Sequence, residues 1–149
     1  MVIKTEQDLS CKDIEILIRF AKRNKRVERL IAFIQSFDTQ IKCKEDTAER
    51  YVNVSDIFYI ESVDKRTFLY LEKNVFHTDY RLYQLAENLA DFGFVQISKS
   101  CILNINALEC IKPLMNSRME AVLKNGERLF VTRKYLKHIR QTLQGGIVL

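Results

Sequence analysis

Arg133 and Lys134 follow Thr132 at the start of a stretch with helical periodicity. Thr132 is a good helix cap, so both cations fall in the first turn. Cations there oppose the helix dipole, by roughly 0.3–1 kcal/mol each when exposed. A phosphate would reverse the sign, because free N–H groups and cationic side chains would converge on one anion. Lys137 and Arg140 continue the basic character along the same segment. Two other segments offer similar chemistry. Asp64-Lys65-Arg66-Thr67 joins two strand-like runs, and Ser98-Lys99-Ser100 follows another. Hydroxyls and cations serve phosphate oxygens and base edges alike. All three lie at strand ends or strand–helix junctions, where a rigid sheet can present them together.

Catalytic and metal-binding patterns are weak. The two histidines, His77 and His138, stand far apart, with no H-E-x-x-H and no Cys/His quartet. Asp91-Phe92-Gly93 spells a kinase tripeptide without a kinase's other elements, so it is expected to be a helix end. No Gly-rich phosphate cradle occurs. The chain is therefore expected to be no enzyme and to need neither metal nor cofactor. Cys11, Cys43, Cys101 and Cys110 lack C-x-x-C spacing and are expected to be reduced, packed thiols.

The elements that must position the basic segments follow from periodicity. Val2–Glu6 is short and alternating, and Ile14–Ala21 alternates apolar and polar residues; both predict strands. Asn24 caps an amphipathic helix over residues 25–37, marked by Val27, Leu30, Ile31, Ile34 and Phe37. From Thr39 the chain is strand-rich. Expected strands are Gln40–Lys44, Arg50–Val54, Ile57–Ser62, Thr67–Glu72, Val75–Thr78, Phe94–Ile97, Ala107–Lys112, Met119–Leu123 and Arg128–Val131. One helix with Leu82, Leu85, Ala86 and Leu89 on one face interrupts them, capped by Asp79 and stopped at Gly93. Asn125-Gly126 predicts a type I′ hairpin turn. The final helix runs to about Leu143, is ended by Gly145-Gly146, and leaves an apolar tail. Asn104, within the apolar string Cys101–Ile105, needs hydrogen-bond partners and is expected to brace the neighbouring loop. Tyr59, Phe68, Tyr70 and Phe76 lack an RNA-stacking signature and are expected to pack.

Composition agrees with a folded chain. The 149 residues are 47% apolar with four Gly and one Pro, enough for one domain plus a short extension and unlike a disordered segment. No run reaches the length of a membrane span, and the charged N-terminal region is unlike an export signal, so a cytoplasmic protein is expected. The net charge of +5 is an average. Residues 47–97 hold five basic and eight acidic residues, whereas residues 98–149 hold nine basic and three acidic. The last third thus suits a polyanion.

From Asn53 to Leu143 the chain resembles the LytTR-type DNA-binding domain of bacterial transcription regulators. The resemblance rests on Asp56-Ile57-Phe58-Tyr59-Ile60-Glu61-Ser62, on Phe94–Ile105, on Leu123-Lys124-Asn125-Gly126-Glu127 and on Val131-Thr132-Arg133-Lys134-Tyr135. It implies a mostly β fold, an elongated stack of small sheets with short helices. Here that fold would follow a β-β-α extension over residues 1–46, with the domain over residues 47–149. The extension resembles the leader of response-regulator-like members that lack a receiver domain. The resemblance also implies duplex DNA read in successive major grooves. Its base-reading positions fall near Arg66 and Thr67, at Lys99, and at Arg133 or Lys134. One departure stands out: the family's R-I-H-R-S is Gln96-Ile97-Ser98-Lys99-Ser100 here. Lys99 offers a point charge where Arg would offer a fork matched to guanine.

The function expected is sequence-specific binding of repeated double-stranded DNA elements. Lys65, Arg66, Thr67, Ser98, Lys99, Ser100, Arg133, Lys134, Lys137 and Arg140 form the contact set, and Asn104 and Thr132 support it. A homodimer on DNA and a membrane-protein signalling partner are expected, with residues 1–46 serving dimerisation or covering a sheet edge. The alternatives are a basic-faced protein-interaction module and a small-ligand-binding β module.

Overall fold

Periodic apolar residues and a cap make the first helix, α1, Lys25–Phe37. The Asn24 side chain accepts from the Val27 N–H at 3.0 Å, supplying one of the partners a helix start lacks. The computed structural model describes residues 1–115 and 118–144. The expected helix stop at Gly145-Gly146 and the apolar tail lie outside them.

After α1 come β1 (Gln40–Glu45), β2 (Ala48–Asn53), β3 (Tyr59–Val63), β4 (Arg66–Tyr70) and β5 (Val75–Thr78). The second helix, α2, spans Leu82–Leu89. Then follow β6 (Phe94–Ser98), β7 (Cys101–Asn104), β8 (Leu108–Pro113), β9 (Met119–Leu123), β10 (Arg128–Val131) and α3 (Arg133–Gln144). A seven-stranded sheet has the order β2-β1-β5-β4-β3-β7-β6, and a three-stranded sheet the order β10-β9-β8. The fold is thus mostly β with three short helices, as expected.

Two cores cover the two faces of the larger sheet. Ile41, Val54, Ile60, Leu69 and Ile102 pack with Leu85 and Leu89 of α2. Tyr59, Val95, Ile97 and Leu103 pack with Ala121 and Leu123 of the small sheet and Ile139 of α3. This explains β7, which alternation does not announce. All four of its residues are buried, because a central strand sandwiched on both sides reads as a continuous apolar run.

Several expectations need correction. Val2–Glu6 and Ile14–Ala21 form no strand; residues 1–24 hold no helix or strand and are almost wholly exposed. An alternating segment becomes a strand only when a neighbouring strand offers its backbone groups, and none does here. The division between residues 46 and 47 falls in the β1–β2 turn, so β1 shares a sheet with the strands that follow. Asp79 does not cap α2. It pairs with Lys44 at 2.8 Å, and Gln84 Oε1 instead accepts the Arg81 N–H at 2.9 Å. Cys11 is exposed, whereas Cys43 and Cys101 are buried.

The two short turns also exchange character. At Asn125-Gly126 only Gly126 has positive φ. The Gly126 N–H donates to the Leu123 carbonyl at 2.9 Å, which makes a three-residue loop of type I turn plus left-handed glycine. The type I′ geometry lies at Asp64-Lys65, where φ is 50° and 64°.

Candidate nucleic-acid interface

The β3–β4 hairpin closes with Val63 opposite Arg66, which leaves Asp64 and Lys65 as the turn. Two positive φ angles match the twist of the strands, at a cost for a residue with a Cβ. The Arg81 guanidinium helps to hold the turn, donating to the Lys65 carbonyl at 2.8 Å. Lys65 and Arg66 are exposed at this tip.

The second tip joins β6 to β7. Ser98 pairs with Cys101 after a register shift, so Lys99 and Ser100 form the end of the ribbon. A bulge of this kind bends the strand and re-aims its side chains. The Ser100 N–H donates to Ser98 Oγ at 3.3 Å. Lys99 and Ser100 are exposed, and Ser98 is half-buried.

The third element is the start of α3. The Thr132 carbonyl accepts from the Tyr135 N–H at 2.9 Å, so the cap position is as expected, held through its backbone. Arg133 and Lys134 are exposed in the first turn, and Lys134 Nζ lies 5.7 Å from the centre of the Tyr135 ring. Ile139, Leu136 and Leu143 face the core. Arg133, Lys137 and Arg140 therefore share an exposed stripe at i, i+4 and i+7.

Two backbone hydrogen bonds join these three ends. The Ser62 N–H donates to the Ser100 carbonyl at 2.8 Å, and the Thr132 N–H donates to the Ile97 carbonyl at 2.9 Å. The first ties the β3–β4 tip to the β6–β7 tip. The second ties the β6–β7 tip to α3. An open groove of about 740 Å³ runs between the two tips and α2. Ser62, Lys65, Arg81, Gln96, Lys99 and Ser100 line it, together with Glu87 and the apolar flank of α2. Three cations against one acid make its wall attractive to an anion.

Comparison with known proteins shows the family of the chain. The LytTr DNA-binding domain family matches residues 49–144. The chain belongs to the LytTR family.

A solved LytTr DNA-binding domain, from a Bacillus cereus protein titled a methyl-accepting/DNA response regulator, superposes with a TM-score of 0.66 at 27% identity. The match covers 73% of this chain and 98% of that one. The sensory transduction protein LytT of Bacillus cereus is 30% identical over 93 residues, 62% of this chain. The chain spans only 38% of the length of that relative. An uncharacterized HTH-type transcriptional regulator of Staphylococcus aureus is 27% identical over 146 residues, 95% of this chain and 99% of that protein. In the LytTR chain described here strands separate all three helices, so its described residues build no helix-turn-helix.

Within this LytTR domain two sequence-derived assignments change. Thr67 is only 3% exposed and sits between Ser62 of β3 and Thr78 of β5, so its hydroxyl does not face a ligand. Asn104 is buried as expected, but at the far end of β7 from the basic tips. Its Nδ2 donates to the Ile57 carbonyl at 2.9 Å, and its Oδ1 accepts from the Asn106 N–H at 3.0 Å. It braces the turn into β3 and the turn after β7. Arg81 and Gln96 are additions to the groove. Arg81 carried a usable signal, a cation just ahead of a helix, the same feature that marks Arg133.

The aromatics pack, as expected. The Tyr59 and Tyr70 rings stack at 4.2 Å with planes 8° apart. Burial, then the nearby Glu127 carboxylate, pushes the Tyr59 phenol far above the ordinary tyrosine range. Tyr70 is raised by burial and by Glu61. Burial also raises the Cys101 thiol strongly, which keeps it an inert packed group. Among the described residues no group of three or more His, Cys, Asp or Glu is placed to hold a metal. No described helix is long and apolar enough to cross a membrane.

Proposed function

We propose that this chain is a bacterial transcription regulator that reads repeated elements of duplex DNA in successive major grooves. The observation that supports it most is the pair of backbone hydrogen bonds Ser62–Ser100 and Thr132–Ile97. They hold three cation-bearing ends in fixed relation, and rigid placement is what base reading requires. Lys65 and Arg66, Lys99, and Arg133 and Lys134 meet base edges and flanking phosphates. Ser98, Ser100, Lys137 and Arg140 hold the backbone. Lys99 donates to a guanine as a point charge, and its discrimination is correspondingly lower than that of an arginine fork.

One module of this size covers few base pairs. Two copies on direct or inverted repeats supply the rest of the specificity. The protein works in the cytoplasm without catalysis, and a membrane-protein partner supplies its signal. Fluorescence anisotropy on DNA upstream of its own gene, with scrambled duplex as competitor, tests the proposal. Preference for the upstream duplex is expected. Equal affinity for both, or none for either, overturns it.

A further inference from the structure

Residues 14–20 carry an unused strand pattern. Ile14, Ile16, Ile18 and Phe20 alternate with Glu15, Leu17 and Arg19. In the structure this segment joins no sheet. Ile14 is 87% exposed and Leu17 77%, a large apolar area for one short segment to leave in water.

The larger sheet ends on one side at β2, and among the described residues β1 is its only sheet neighbour. The two-residue turn makes Glu45 and Ala48 the closing hydrogen-bonded pair. Every second pair repeats that pattern, so Glu49, Tyr51 and Asn53 direct their N–H and C=O groups away from β1. Tyr51 is 61% exposed on this edge. An open edge of this kind is a template for another strand.

In the structure the segment does not pair with the β2 of its own chain. The C-terminal end of α1 lies by β2, because Thr39 accepts from the Val54 N–H at 2.8 Å. Its N-terminal end lies on the β6 side, where Lys25 Nζ donates to the Gln141 carbonyl of α3 at 3.0 Å. A helix of 13 residues separates those ends by about 18 Å. Four residues from Asn24 back to Phe20 span at most about 14 Å. The short connection therefore favours a second copy as the occupant of the edge.

We propose that residues Ile14–Phe20 of one copy add as an antiparallel strand to the β2 edge of a second copy. With Leu17 opposite Tyr51, Arg19 stands opposite Glu49 and Glu15 opposite Asn53. The alternate residue Ile16 then extends the apolar face past Val52, and Ile18 lies beside Arg50, whose guanidinium is 5.7 Å from the centre of the Phe76 ring. In this register Arg19 meets Glu49 and Ile16 meets Val52, whereas a one-residue slip sets Arg19 against Arg50 or Ile18 against Glu49. The exchange accounts for an alternating segment with no partner and an edge with no cover. It deepens the two-copy arrangement proposed above and is tested without DNA, so its failure leaves duplex reading by single copies untouched.

Sedimentation and amide exchange on the full chain, over a range of concentrations, decide it. A monomer–dimer equilibrium is expected, with the Glu49, Tyr51 and Asn53 amides slowing by about tenfold or more as dimer forms. Ile16→Lys and Tyr51→Pro should each return the chain to monomer, the second by removing an outward-facing donor on an edge strand, where proline is tolerated. A chain that stays monomeric overturns the proposal. So does a dimer that leaves those three amides in free exchange, or one that survives Ile16→Lys.

Discussion

The Thr132 N–H donates to the Ile97 carbonyl at 2.9 Å, and this one contact fixes where α3 begins relative to the Lys99 tip. Ile97 is fully buried, so the acceptor cannot move without the core. The cations after Thr132 thereby inherit the rigidity of β6.

Lys99→Ala and Lys134→Ala should each weaken DNA binding by about tenfold, or 1–3 kcal/mol if a base contact is lost. Both residues are exposed, so the melting temperature should stay within a degree or two of the parent. Anisotropy titrations and thermal denaturation check the pair. A large fall in melting temperature would mark them as structural.

Affinity should fall steeply with salt. If about six phosphates are contacted, log K falls against log salt with a slope near −5. Lys137→Ala should reduce that slope by about one without changing sequence preference. A slope near zero would favour an uncharged ligand over a nucleic acid.

Asn104→Ala should destabilise the fold by roughly 1–3 kcal/mol, because the Ile57 carbonyl and the Asn106 N–H lose their buried partner. Duplex affinity of the folded protein should be unchanged, since this residue is at the end of β7 remote from the tips. Denaturant midpoints and anisotropy measured on the same sample separate the two effects. Weakened binding with unchanged stability would place Asn104 in the interface.

Lys65→Gly should raise stability by a few tenths to about 1 kcal/mol, because φ is 64° at this turn residue and glycine accepts that region without a Cβ clash. The same change removes a cation from the groove and should lower DNA affinity. Opposite signs in stability and affinity are the signature to look for. A loss of both would show that the Lys65 side chain holds the turn.

Alkaline pH should unfold the protein through Tyr59. Its folded phenol is raised by burial and by Glu127, so its contribution is complete below the ordinary phenol pKa of about 10 and is lost as pH rises above it. The melting temperature should therefore drop steeply beyond about pH 10, and Tyr59→Phe should drop less steeply. Identical slopes would assign the loss to other groups whose ionisation burial opposes, Tyr70 and Cys101 among them.

Much of the architecture was legible because local signals agree with the tertiary result. Periodicity located α1, α2, α3 and nine of the ten strands, with ends shifted by a residue or two. β7 escaped because burial on both faces erases alternation. Ile14–Ala21 misled for the opposite reason: its alternation is real, but a strand exists only where a neighbour supplies backbone partners. Asn125-Gly126 named a hairpin correctly and its type wrongly, because the connection holds three residues and only Gly126 needs positive φ.

The three basic segments could be found from residue type alone. A cation after a cap, or at the junction of two strand patterns, is a local property of the chain. Whether such segments meet is a property of pairing. Only β3 lying beside β7 brings Lys65 and Lys99 to one groove, and only α3 packed on β6 sets the start of that helix beside the Lys99 strand. The same packing withdrew Thr67 from the surface and added Arg81, because exposure is set by what covers a residue. Sequence by itself determined the chemistry on offer, through charge, hydroxyls and periodicity. The tertiary structure alone decided which groups share a face, because hydrogen bonds between strands distant in sequence set that geometry.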